Sequence, residues 1–131
     1  MNEFDDVQIN DASFAYRDLV GTDNWLAWTP ARTGWTDVGS PTVTARMHVV
    51  GRQCFIQVKV VPGTTVATVA GTSYISLPFA AKGLAGGGSM MNLTTLVGVG
   101  TCAVDVANSR MYVPAQAATG NTLTIEGWFE F

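Results

Sequence analysis

The sequence predicts an all-β fold, an antiparallel β-sandwich of about eight strands, on three observations. Apolar and polar residues alternate with a period of two through a succession of short runs rich in Val, Ile, Thr and aromatics. Turn signals built from Gly, Pro, Asn and Ser separate those runs. No run beyond residue 20 shows the i, i+3, i+4 spacing of an amphipathic helix.

Residues 1–24 stand apart as a lead-in or linker region. They are acidic and mixed, with Glu3, Asp5, Asp6, Asp11 and Asp18, and show no clean alternation. Residues 11–19 suit a short helical turn or an extended approach, and such tails are loosely held unless they dock on a neighbour. The β-sandwich domain is expected over residues 25–131. Its entrance carries Trp25, Trp28 and Trp35 within eleven residues. Core and edge packing is one meaning for these indoles, and sugar stacking on an exposed ring is the other.

The firmest element is a β-hairpin over residues 42–61, two alternating arms around Gly51-Arg52. Val43, Ala45, Met47 and Val49 share one face of the first arm. Cys54, Ile56, Val58 and Val60 share one face of the second. Pro62-Gly63 ends that arm. A Thr/Val strand follows over 64–70. The next strand, 73–79, sets Ile75, Leu77 and Phe79 against Tyr74 and Ser76, and Pro78 ends its pairing or marks an edge. The glycine-rich stretch 82–89 is read as a flexible or tightly turning surface loop. It lacks the Gly-Lys-Ser/Thr ending of a phosphate-cradling loop.

Two strands are expected over 90–100 and 101–107, turning around Gly98 and Gly100, with Cys102, Val104 and Val106 on one face. Asn108-Ser109 turns the chain into a short strand over 110–114, with Met111 and Val113 inward and Tyr112 outward. Thr119-Gly120-Asn121 is a further turn. The last strand, 122–131, sets Leu123, Ile125, Phe129 and Phe131 against Thr124, Glu126, Trp128 and Glu130. Eight such strands suit a jelly roll.

Composition narrows the function. The net charge is −3, and the seven Lys and Arg are scattered, so no basic stripe offers itself to nucleic acid. No apolar stretch approaches the roughly 18–20 residues that span a bilayer, so no membrane insertion is expected. The first twenty residues carry acids where a signal peptide has a basic and then an apolar run. Only 13% of residues are charged, where about a quarter is usual. Either other subunits cover part of the surface, or the surface is built from Thr, Ser, Asn and Gln.

Chemistry is sparse. His48 is the single histidine, and no Gly-x-Ser-x-Gly elbow accompanies it. Glu126 and Glu130 share a strand face about 13 Å apart, too far for an acid–nucleophile pair. Two cysteines and one histidine are too few for a zinc site, and no cofactor is expected. Cys54 and Cys102 fall on core faces and read as buried reduced thiols. A disulfide would require their strands to be neighbours. The expectation is a protein that is not an enzyme.

The informative pattern is aromatic. Phe55, Tyr74, Tyr112 and Trp128 fall on the non-core parity of their strands, among Gln, Ser, Arg and Glu. They serve either as anchors of a subunit interface or as platforms for flat polar ligands. Arg46, His48, Phe55, Tyr74 and Trp128 are taken as interface candidates. Trp35, Asp37, Asn108, Arg110, Tyr112 and Asn121 are taken as carbohydrate-binding candidates.

Several short motifs run through the chain in order: Trp28-Thr-Pro, Gly34-Trp35-Thr, Val43-Thr-Ala-Arg46, Val50-Gly51-Arg52, Ser76-Leu77-Pro78-Phe79, Arg110-Met-Tyr112-Val-Pro114, and Ile125-Glu-Gly127 before an aromatic end. With them, residues 25–131 resemble the C-terminal domains of bacteriophage tail-fibre, tailspike and related host-recognition proteins. Met47 stands where many members carry an aromatic. The resemblance implies a jelly-roll-like, trimeric head on a tail fibre or other virion appendage, made in the host cytoplasm. It implies cell-surface polysaccharide and other tail proteins as partners. It transfers no ligand-binding residue, because the loops of such heads vary while the strands keep the fold. The rival expectation is a structural virion domain, a capsid decoration or fibre cap, without a saccharide ligand.

Overall fold

Alternation dictates the architecture. The structure, a computed structural model, describes residues 25–83 and 86–131. The lead-in expected over 1–24 lies outside the described residues. Among the described residues every regular element is a strand. In chain order they are β1 (Leu26–Trp28), β2 (Arg32–Thr33), β3 (Thr36–Val38), β4 (Thr42–Val50), β5 (Gln53–Val61), β6 (Thr65–Thr68), β7 (Tyr74–Ser76), β8 (Gly86–Asn92), β9 (Val97–Asp105), β10 (Arg110–Tyr112), β11 (Gln116–Thr119) and β12 (Leu123–Glu130).

They form two antiparallel sheets. The larger runs β1-β4-β5-β12-β8-β9-β10-β7-β2, and the smaller runs β11-β6-β3. The expected hairpin is present as β4 and β5, paired from Thr42↔Val61 to Val50↔Gln53 around the left-handed Gly51. Pairing of β12 with β5 and with β8 sets the last strand in the middle of the sheet.

The inward parity read from sequence is the core. Met47, Ile56, Val58, Ile75, Met111, Leu123, Ile125 and Phe129 are fully or almost fully buried, with Leu77, Phe79 and Val66 closing over them. Burial of each such side chain contributes roughly 1.5–3 kcal/mol relative to exposure. Phe79 stacks on Phe131 at 4.7 Å and tilts against Phe129 at 6.2 Å. The larger sheet curls around this core, so its outer face is convex. The fold is β-sandwich-like.

The chain departs from the expected strand pattern in four places. Among the described residues twelve strands stand where about eight were expected. The additional β1, β2, β3 and β11 are two to four residues long, too short for a period of two to register.

The stretch 82–89 is not simply a loop, because Gly86, Gly87, Gly88 and Ser89 belong to β8, between β12 and β9. Residues without side chains leave no alternation to read.

The strands expected over 90–100 and 101–107 are instead β8 and β9, and their turn is at residues 93–96. Asn92 Oδ1 accepts from Thr95 N at 3.1 Å, and Leu96 takes a left-handed φ of 59°. Gly98 and Gly100 lie within β9. Met90 pairs with Gly100 and Met91 with Gly98, so Val99 is the extra residue of a β-bulge.

Finally, the strand expected over 73–79 is continuous only from Tyr74 to Ser76, with Phe79 in an isolated bridge beyond it, although its inward residues continue through Phe79.

Candidate functional site

The outward parity of the larger sheet assembles the site. Register places His48, Phe55, Trp128, Gly87, Ala103, Tyr112, Tyr74 and Thr33 opposite one another in a single row across β4, β5, β12, β8, β9, β10, β7 and β2. Aromatic residues thus stand at both ends of the row, with Gly87 and Ala103 between them. A parallel row carries Arg46, Gln57, Glu126, Ser89 and Thr101.

The β4–β5–β12 end is the more sculpted. Arg46 Nε donates to Gln57 Oε1 at 2.6 Å, and Gln57 Nε2 donates to Glu126 Oε1 at 3.4 Å. Trp25 lies over this edge, with the Arg46 guanidinium 4.9 Å from its ring and the His48 ring 5.5 Å away. Three adjoining depressions share Glu126. The first, about 310 Å³, is lined by Trp25, Phe55, Gln57, Glu126 and Trp128 over a floor of Gly87, Gly88 and Gly127. The second, about 300 Å³, continues past Arg46 to Thr44, Lys59 and Thr124. The third, about 170 Å³, runs to Ser89, Met91 and Leu93.

The β10–β7 end is a tight cluster. The Tyr74 and Tyr112 rings lie 5.3 Å apart, and the Arg110 guanidinium sits over both, at 4.4 and 5.4 Å. Asp105 Oδ2 accepts from Asn108 Nδ2 at 2.8 Å and from Arg110 Nε at 3.2 Å. These bonds, Asn108 first, hold the Asp105 carboxyl below its ordinary range. Partial burial works against the Arg110 charge, but Asp105 and the two tyrosines together raise its pKa. The Thr33 hydrogen bond leads the causes that lower the Tyr74 phenol.

The carbohydrate-binding candidates divide. Asn108, Arg110 and Tyr112 join the β10–β7 cluster. Trp35 is no open platform, because it packs against the core and its Nε1 donates to Tyr74 O at 3.2 Å. Asp37 has both oxygens engaged by Arg32, at 3.0 and 2.9 Å, and Arg32 in turn lies 5.2 Å from the Trp35 ring. Asn121 stands before β12, at the opposite end of the sheet from the Asp105–Asn108 turn. The interface candidates Arg46, His48, Phe55, Tyr74 and Trp128 all lie on the outer face, where Phe55 and Trp128 line the first depression.

Sequence reasoning missed Gly87 as part of this surface, and with it the place of Trp25 over His48. No local signal would have found either, because Gly86 to Gly88 carry no alternation and Trp25 and His48 lie on separate segments.

His48 Nδ1 is buried and has no hydrogen-bond partner among the described residues. Trp128 stands between Glu126 and Glu130 on their shared face. Cys54 and Cys102 are free and buried. Burial raises both thiol pKa values, that of Cys102 to about 12. Among the described residues no three His, Cys, Asp or Glu side chains gather to hold a metal ion.

Compared with protein-family models, with curated proteins and with solved structures, the chain finds no match.

Proposed function

We propose that residues 25–131 are the host-recognition head of a virion appendage, a non-enzymatic domain that binds cell-surface polysaccharide through the outer face of its larger sheet. One observation carries this reading: Trp25, Phe55 and Trp128 frame a depression of about 310 Å³ that also presents Gln57 and Glu126. Rings of this kind stack on the apolar faces of pyranoses, while amides and carboxylates bond the hydroxyls. The volume falls at the lower end of small-ligand sites, about 300–1,000 Å³.

The resemblance of residues 25–131 to phage tail-fibre and tailspike heads points to the same ligand class. In this reading the head is jelly-roll-like, and the return of β12 to lie between β5 and β8 supports that topology. It is a homotrimer on a tail fibre or other exterior appendage, attached to other tail proteins. Three copies offset weak single-site affinity. The test is a glycan array that includes host envelope polysaccharides. Binding by the wild type that Trp128→Ala abolishes supports the reading. An array with no bound glycan overturns it.

A second reading has its own observation. Met91, Leu93, Leu96 and Val97 are exposed together around the β8–β9 turn, Leu96 at 73%. An apolar end of this kind suits burial against virion proteins, as in a capsid decoration or fibre cap. Cryo-EM of the virion separates the two by where the outer face points. Native mass by light scattering tests the trimer.

A further inference from the structure

The glycines of β8 are not alike. A Cβ on Gly86 would stand 2.5 Å from Trp128 O and 2.8 Å from Val104 Cγ2. One on Gly88 would collide with Glu126 O and lie 2.8 Å from Gly127 Cα. Close approach of β12 therefore demands both. Gly87 is different: a Cβ there would meet nothing nearer than Cys102 O at 3.6 Å, an ordinary contact, and its φ is not left-handed. Neither backbone conformation nor packing accounts for a glycine at 87. What it does is keep the outer face bare between Trp128 on β12 and Ala103 on β9, which pairs with it.

We infer that Gly87 and Ala103 floor an open lane joining the Phe55–Trp128 pair to the Tyr112–Tyr74 pair, and that a linear, neutral polysaccharide lies along it across the strands. This rests on the carbohydrate reading above and specifies its ligand. From Phe55 to Tyr74 the row crosses five strand intervals, roughly 24 Å along the sheet at about 4.8 Å each. That is too long for a single sugar and suits a chain interior. Aromatic rings at both ends offer stacking, and the middle, with no side chain larger than a methyl, lets the chain lie close.

The charge pattern selects a neutral polymer. Arg46 is tied through Gln57 to Glu126, and Arg110 is tied directly to Asp105. Arg46 on the second row and Arg110 beside the first are thus each offset by an acid, leaving no net positive field along the lane for an anionic chain.

The experiment is calorimetric titration of the full chain with neutral gluco-, xylo- and chito-oligosaccharide ladders. Neutral and acidic bacterial capsular polysaccharides are titrated in parallel. Affinity is expected to rise at least about tenfold from disaccharide to hexasaccharide. Gly87→Gln, whose side chain fills the lane, is expected to weaken binding of the best neutral polymer about tenfold or more. It should do so without lowering the thermal midpoint. Tyr112→Ala should weaken the hexasaccharide and spare the disaccharide. A disaccharide that binds as tightly as the hexasaccharide overturns the lane while leaving the carbohydrate reading standing. So does Gly87→Gln with unchanged affinity, or binding confined to acidic polymers. Failure of every saccharide overturns both.

Discussion

Met111 of β10 packs onto Gly127 of β12, although two strands separate them in the sheet: a Cβ on Gly127 would lie 2.7 Å from Met111 Cε and 3.3 Å from Sδ. In a flat sheet three strand intervals are about 14 Å, well beyond a methionine side chain. The contact therefore measures the curl that encloses the core and turns the aromatic row outward. It exists because Gly127 occupies an inward position on β12, between the buried Ile125 and Phe129.

That relationship predicts unequal costs for three glycine substitutions. Gly127→Ala crowds the flexible Met111 tip, which can give, and Gly87 O at 2.7 Å, which is backbone and cannot. Overpacking of this kind costs about 1–3 kcal/mol. Gly88→Ala meets the Glu126 carbonyl and should lose at least as much. Gly87→Ala makes only an ordinary contact, with Cys102 O at 3.6 Å, and removing a strand glycine should raise stability by roughly 0.5–1 kcal/mol. Urea unfolding of the three variants reads the contrast. Equal losses in all three would remove the basis for treating Gly87 as special.

Long strands were legible because many side chains repeat the same message. Over β4 and β5 each inward residue named from parity is buried, apart from the partly buried Val43 beside the core. The short strands were not legible, since Arg32–Thr33 or Thr36–Val38 offers too few residues to establish a period. Gly86 to Gly88 carry no pattern at all, so the lane appears only once β12 and β9 are set beside them. The site's charges were partly legible. Arg32 and Asp37, like Asp105 and Arg110, are opposite charges five residues apart, yet spacing alone does not show that the side chains meet, which is why Asp37 and Arg110 stand among the ligand candidates. The seating of Trp25 over His48 joins distant segments, and no local signal carries it.

The Arg32–Asp37 pair predicts a small structural effect and no effect on binding. Asp37 spends both oxygens on Arg32, and the pair is only partly buried. Asp37→Asn should cost about 1 kcal/mol or less. It should leave saccharide affinity unchanged, because both carboxylate oxygens are already engaged by Arg32. Calorimetric titration beside thermal melting decides the point. A large loss of affinity at unchanged stability would restore Asp37 as a ligand group.

Asp105 predicts a pH dependence. Its carboxyl is depressed below the ordinary 3.8 by Asn108 and then Arg110. The folded state therefore binds the proton less readily than the unfolded chain. The stabilisation is present above 3.8 and is lost as pH falls through the lower folded value. In urea titrations the wild type should exceed Asp105→Asn by a constant margin near neutrality. That margin should shrink once the pH drops below about 4. A margin that persists unchanged at strongly acid pH would assign the effect to packing of the turn instead of to charge.

The two cysteines predict the opposite limb. Cys54 and Cys102 lie on the inner faces of β5 and β9, both buried. Burial raises each thiol above its ordinary 9.0, Cys102 to about 12. The thiolate is the reactive species, so neither should react with DTNB in the folded protein near neutrality, and both should react after unfolding in urea. Because the folded pKa values are raised, the stabilisation is complete below 9.0 and declines as pH rises from there toward the folded values. Stability should therefore begin to fall near pH 9, and Cys102→Ala should flatten part of that decline while costing a cavity at every pH. Cys54→Ser should be worse than Cys54→Ala, since it sets a hydroxyl in an apolar site whose thiol makes only a 3.9 Å contact with Phe55 O. Rapid labelling of both thiols in the native state would show that the β5 and β9 inner faces open to solvent, and the core drawn from the alternating pattern would have to be redrawn.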